Sequence, residues 1–250
     1  MISTIGQILS TLYGPVVFMG QALWRWWTVT RPTRKVLEGI AENDQLLRIF
    51  VRDLFVAPGS QLIAREGTVG PQGIVPNVAR LWPDVEGKSV AYVLNALGQV
   101  YKTKHIDIIA MSDDPGLWDS NLIVLGAQAQ KSFDFYTRMQ DVAYEMDASE
   151  IRDRATQTPI AKEVGYGYGI ILKARNPHLR GGKSGTALLI GGFGTLGTAA
   201  AGYYFRDHLP DLGHTFGKEC FGVVVRASVT AGEQASQRLT EYDRTIRSPR

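Results

Sequence analysis

Apolar and polar positions fall into blocks along the chain. Residues 8–24 run from Ile8 through Leu12, Val16, Phe18 and Leu23 to Trp24 without a charge, a pattern that predicts an apolar helix. Pro32 predicts its end, because proline lacks an amide donor and restricts the residue before it. A short polar helix from Thr33 to about Glu42 is expected next. Residues 46–51 (LLRIFV) are rich in β-formers and read as a strand. Residues 57–76 hold Pro58, Gly59, Gly67, Gly70, Pro71, Gly73 and Pro76, which predicts a long loop. Val90, Val93, Leu94, Leu97 and Val100 recur at helical spacing. The runs 105–110 and 121–126 are strands, the second continuous enough to be buried on both faces. A helix is expected from Gln130 towards Tyr144, strands around 170–172, 186–190 and 221–226, and a small-residue helix over 195–205. Strands alternating with helices imply an α/β protein with a mostly parallel sheet.

Length and composition refine this picture. The chain of 250 residues is 44% hydrophobic, enough for a sizeable core. Its single cysteine, Cys220, excludes an internal disulfide framework, and Cys220 with His208 and His214 lacks any zinc-ligand spacing, so no metal site is expected. The formal charge of +3 is mild and forms no basic stripe, so nucleic acid is not an expected partner. At the N-terminus charge does matter. The uncharged stretch approaches the roughly 20 residues that span a bilayer. Trp24, Trp26 and Trp27 follow at the level of an aromatic belt, then Arg25, Arg31, Arg34 and Lys35. Residues 1–27 are therefore expected to contact a membrane, with the main domain on the cytoplasmic side. Gln7, Pro15 and Gln21 interrupt the run; the competing expectation is a cytoplasmic protein whose helix is buried in the domain or in a homo-oligomer.

Gly192-Phe193-Gly194-Thr195-Leu196-Gly197 matches G-x-G-x-x-G, after an apolar strand and before a helix. In such a turn the first glycine permits a tight bend, the second lets backbone N–H groups meet a phosphate, and the third lets helix pack on strand. The helix start adds free donors and a positive dipole end, and Thr195 and Thr198 add hydroxyls. The acidic residue that holds a ribose is missing; the next strand ends near Arg226, which suits a phosphate instead. The competing reading is that these small residues only permit close packing. On its glycine pattern the segment resembles Rossmann-like nucleotide-binding domains. The resemblance covers the last third of the chain and implies a nucleotide or dinucleotide ligand there; together with the strand and helix pattern before it, the expected fold is a Rossmann-like, mostly parallel sheet in two βαβ halves behind an N-terminal apolar helix. The segments are then 1–30, anchor or assembly helix; 31–146, first half; 147–165, linker; 166–230, second half; and 231–250, polar tail. A tethered domain of this kind looks like sensor–effector proteins of bacterial signalling or antiviral defence, by architecture alone. Short-chain dehydrogenases do not fit: their glycine turn lies near the N-terminus, and Tyr101 with Lys104 does not match their Tyr-x-x-x-Lys pair.

Two further loops carry candidate chemistry. Asp113, Asp114 and Asp119 surround Pro115, Gly116 and Trp118 after one strand, and three carboxylates there suit acid/base work on a nucleotide, with Trp118 stacking on a base. Asp, Pro and Gly are also ordinary turn residues. Lys131 follows the next strand, where it would clamp a phosphate if the two loops converge. Gly182-Lys183-Ser184 is not a P-loop, since Pro177 stands where the upstream glycine belongs and a strand follows. Three functions remain in order: a membrane-tethered phosphate-ligand-binding protein, a nucleotide-processing enzyme, and a self-assembling interaction module.

Overall fold

A computed structural model describes residues 18–40, 46–52, 54–55, 80–81, 84–98, 105–111, 118–127, 130–147, 149–179 and 185–246. The chain is a mixed α/β protein built on one eight-stranded sheet. The strands are β1 (Leu47–Val51), β4 (Ile106–Ala110), β5 (Asn121–Leu125), β8 (Tyr166–Asn176), β9 (Gly185–Gly192), β10 (Cys220–Ser228), β11 (Gln237–Arg238) and β12 (Arg244–Ile246). Two small ribbons stand apart, β2 (Leu54–Phe55) with β3 (Arg80–Leu81), and β6 (Tyr144–Met146) with β7 (Ile151–Asp153). The order across the sheet is β11-β10-β8-β9-β5-β1-β4, with β12 also on β10. Strands β4, β1, β5, β9 and β10 point one way; β8, β11 and β12 run against them.

The helices are α1 (residues 18–25), α2 (Arg31–Leu37), α3 (Asp84–Gly98), α4 (Gln130–Arg138) and α5 (Gly194–Phe216). Side chains alternate across each strand, so the sheet has two apolar faces. On one, Ile49, Ile123, Ile171, Ile190 and Val223 pack under α2, α3 and α5. On the other, Phe50, Val124, Ile170, Leu189 and Val224 pack under α4 and the β6–β7 ribbon.

The second half departs from the expected βαβ unit. β9 and β10 are joined through α5 and point the same way, but β8 lies between them, antiparallel to both. β8 and β9 form a hairpin across residues 177–184, too short a connection for the crossover that parallel neighbours need. The two halves are also one sheet, because β5 pairs directly with β9. The expected linker contains β7. Its Asp153 is buried and accepts hydrogen bonds from Arg244 Nε (2.6 Å), Ala155 N (2.9 Å) and Thr156 N (3.1 Å). Burial alone would raise the Asp153 pKa, but these donors hold it below the usual carboxylate range. The expected tail is equally structured through residue 246: Arg238 pairs with Asp243 through Nε at 2.8 Å, and β11 and β12 extend the sheet. The helix from Gln130 ends at Arg138, well short of Tyr144, because Gln140 bridges to Arg175 and Tyr144 starts β6.

Pro32 does not break the first helix. Arg25, Thr30 and Arg31 all keep right-handed helical angles, and a π turn at Trp26–Thr30 carries α1 into α2. A helical proline clashes with the carbonyl four residues back and leaves it without a donor. Here that carbonyl belongs to Thr28; the wider turn relieves the clash, and His214 Nε2 lies 3.3 Å from the oxygen. Protonated on Nε2, His214 supplies the missing hydrogen bond. α2 then seats against α5 at Gly213, where an added Cβ would stand 2.1 Å from the Pro32 carbonyl oxygen.

Candidate functional site

The glycine turn is the strongest candidate, and its three glycines have different surroundings. Gly192, the last residue of β9, and Gly197, one turn into α5, face each other across a backbone contact. A Cβ at Gly192 would lie 2.3 Å from the Gly197 carbonyl carbon, and one at Gly197 would lie 2.1 Å from the Tyr168 oxygen. Gly169 on β8 completes the contact, its added Cβ standing 2.3 Å from the Gly197 oxygen. These glycines let α5 lie directly on β8 and β9. Phe193 N donates to the Tyr168 carbonyl at 2.8 Å and fixes the turn.

Gly194 differs. It begins α5 at φ +58°, is exposed, and has no atom within 4 Å of an added Cβ. Thr195 beside it is exposed as well. The first turn of α5 therefore meets solvent at the carboxyl end of β9, with no acidic residue in that turn. Thr198 is buried, and its hydroxyl lies 3.2 Å from the Gly194 carbonyl inside the helix, so it does not face that opening.

Other predicted residues lie elsewhere. Arg226 pairs with Glu163 at 2.5 Å and stacks on Tyr166, 4.7 Å from its ring centroid. Val223 and Val225 face α5, so by strand alternation Arg226 faces the α4 side with Val224. The sheet thus separates Arg226 from α5. Asp119 lies two residues before β5, at the amino end of that strand, 3.6 Å from Arg48. Lys131 is buried beneath α4, its ammonium 4.2 Å from the Phe50 ring centroid and 4.0 Å from that of Trp118. Trp118 is itself buried, so it is not a free stacking platform. Asp113 and Asp114 lie outside the described residues. The loops carrying Asp119 and Lys131 meet at the Lys131–Trp118 contact, where both side chains are buried. The segment after β5 also covers the neighbouring edge of the sheet: an added Cβ at Gly191 would lie 2.3 Å from Ala127 N, and Gly126 N donates to the Ile190 oxygen at 2.8 Å.

Residues that sequence reading did not select surround Phe193. Lys162 Nζ stands 4.0 Å from the Phe193 ring centroid, and the Tyr168 hydroxyl accepts from Glu163 N at 2.9 Å. Deeper in the same strand is Lys173, fully buried, donating from Nζ to Lys35 O (3.2 Å) and Lys218 O (3.1 Å). Those carbonyls lie at the ends of α2 and α5, where the helix dipoles favour a cation. Burial still lowers its pKa to about 8. A charged residue within the apolar run 169–174 was the signal that could have found it. Among the described residues no cluster of His, Cys, Asp and Glu could hold a metal ion.

The N-terminal helix presents a second surface. Phe18 (71% exposed), Leu23 (61%), Trp24 (72%) and Trp27 (55%) stand in solvent. Trp26 and Trp27 meet edge to face at 5.5 Å. Among the described residues no helix is long and apolar enough to cross a membrane; residues 1–17 of the expected anchor lie outside them. The chain matches no family model, no curated protein and no solved structure.

Proposed function

We propose that this protein is held at a membrane by its N-terminal helix and binds a phosphate-bearing ligand at the open first turn of α5. The observation that carries the proposal is the row of exposed aromatic and aliphatic side chains on α1 and the π turn after it, whose helical backbone continues into α2, half buried against α5. Water is a poor environment for such a row, and contiguous exposed apolar surface is characteristic of membrane or partner contact. The cationic residues directly after it support a cytoplasmic orientation of the domain in this reading, by the excess of Lys and Arg found on that side of membranes. The ligand half of the proposal rests on Gly194 and Thr195, whose exposed backbone at a helix start suits an anion. In this reading the domain is Rossmann-like, and the tether keeps ligand binding at the membrane, as a sensor or effector would require.

Vesicle flotation of the full chain tests the tether. The triple variant Leu23→Glu/Trp24→Glu/Trp27→Glu should lose at least about tenfold in bound fraction, since each change removes apolar contact and adds a charge. Its melting temperature should stay unchanged, because all three residues are exposed. Equal flotation of variant and parent would refute the tether, and a shift from oligomer to monomer without vesicle binding would assign the helix to self-assembly.

Thermal shift with a panel of nucleotides and dinucleotides tests the ligand. A saturating ligand should raise the melting temperature by about 5 °C or more. Thr195→Glu should abolish that rise without lowering the melting temperature of the free protein, because a carboxylate suits a helix start yet repels phosphate. No shift with any ligand would reduce the glycine turn to a packing device. The full chain is needed for both tests: removing residues 1–40 would strip Val36, Leu37 and Ile40 from the core.

A further inference from the structure

We infer that the membrane surface this protein recognises is anionic, an inference that rests on the reading of α1 as a membrane helix. The first 37 residues carry four charged side chains, Arg25, Arg31, Arg34 and Lys35, and all four are cationic. They exceed the formal net charge of the whole chain, +3, so the remaining residues together stand at −1. The positive excess of the protein is therefore concentrated at the end of its exposed apolar helix.

The structure leaves these charges available to an external anion. Arg25, Arg34 and Lys35 are exposed. Among the described residues no carboxylate forms a salt bridge with any of the four, and Glu38, the first acidic residue of the chain, lies 3.7 Å from Lys218 instead. Arg31, Arg34 and Lys35 stand at i, i+3 and i+4, which places three like charges on neighbouring positions of one helix face. Like charges so placed repel, and a sheet of lipid phosphates and anionic headgroups relieves that repulsion. The Arg31 guanidinium also lies 4.3 Å from the Trp27 ring centroid and 5.9 Å from that of Trp26. This stacking holds a cation at the depth where indoles settle, between acyl chains and headgroups. Aromatic side chains supply insertion and the adjacent cations supply headgroup selection. Binding of a helix at a membrane surface scales with the apolar area it buries plus its attraction to anionic lipids, and the basic cluster supplies the second contribution.

The test is flotation of the full chain with two kinds of vesicle, phosphatidylcholine alone and phosphatidylcholine with a third of the lipid replaced by phosphatidylglycerol. Binding to the anionic vesicles should be stronger by at least about tenfold, and salt near 1 M should remove most of the difference by screening. Arg34→Gln/Lys35→Gln should narrow the gap while leaving binding to the neutral vesicles as it was. Equal binding to both vesicles, insensitive to salt, overturns the anionic preference and leaves the membrane reading standing. Binding to neither, by a chain that still melts cooperatively, overturns both.

Discussion

Gly197→Ala is expected to destabilise the protein by about 3 kcal/mol or more, while Gly194→Ala, three residues away in the same turn, costs about 1 kcal/mol. The contrast follows from what each new methyl would meet. At Gly197 it would lie 2.1 Å from the Tyr168 oxygen and 2.9 Å from the Tyr168 carbonyl carbon. Both are backbone atoms of β8, which is hydrogen-bonded on either side by β9 and β10 and cannot retreat alone. Relief requires α5 to lift from the sheet, which opens contacts along Ala201, Phe205 and Leu209. At Gly194 the methyl meets nothing within 4 Å, and the cost is the left-handed backbone at φ +58°. Urea denaturation of the two variants checks the order. Equal losses, or a larger loss at Gly194, would mean that close packing is not what Gly197 provides.

Lys173 should make stability rise with alkaline pH. In the unfolded chain its amine keeps a proton up to the ordinary value of 10.5, whereas burial in the fold lowers this to about 8. Between those values the unfolded state binds more protons, so folding is favoured as pH rises. The gain by the top of that window is about 3 kcal/mol, from a shift of about 2.5 pH units. Below pH 8 both states are protonated and the cost of burying the charge is present in full, offset in part by the two carbonyls that accept from Nζ. Lys173→Met should therefore be more stable than the parent by about 1 kcal/mol near neutral pH. It should also lose the alkaline rise, so that the two curves converge or cross before pH 10.5. Urea midpoints measured from pH 7 to 10.5 for parent and variant give the comparison. Parallel curves would show that Lys173 titrates as it does in water.

The longer strands and the starts of the long helices were legible because their signal is local, whereas α5 runs on to Phe216, past the expected end near Phe205. The runs 46–51, 121–126, 186–190 and 221–226 each became a strand, and the helical spacing of Val90, Val93 and Leu97 became the buried stripe of α3. Short elements were not legible. Ile151–Asp153 and Arg244–Ile246 have three residues each, too few for a periodic pattern to distinguish them from linker and tail. The direction of β8 was hidden for another reason. An apolar strand buried on both faces reads the same in either direction, and only its short connection to β9 makes it antiparallel.

The candidate site divides along the same line. Sequence alone established the spacing of Gly192, Gly194 and Gly197, the strand before them, the helix after them, and an uncharged apolar N-terminus followed by cations. Each is a relation between covalent neighbours. Tertiary structure decided which space those glycines open: backbone of α5 and β8 fills it at Gly192, backbone of β8 fills it at Gly197, and solvent reaches it at Gly194. It also placed Asp119 at the amino end of β5, Lys131 beneath α4 and Arg226 on the face away from α5. Residues that follow strands in sequence share a site only when those strands end at one edge and their side chains emerge on one face. Edge and face depend on strand order and crossover, which arise from packing distant segments into one core and leave no mark on local periodicity.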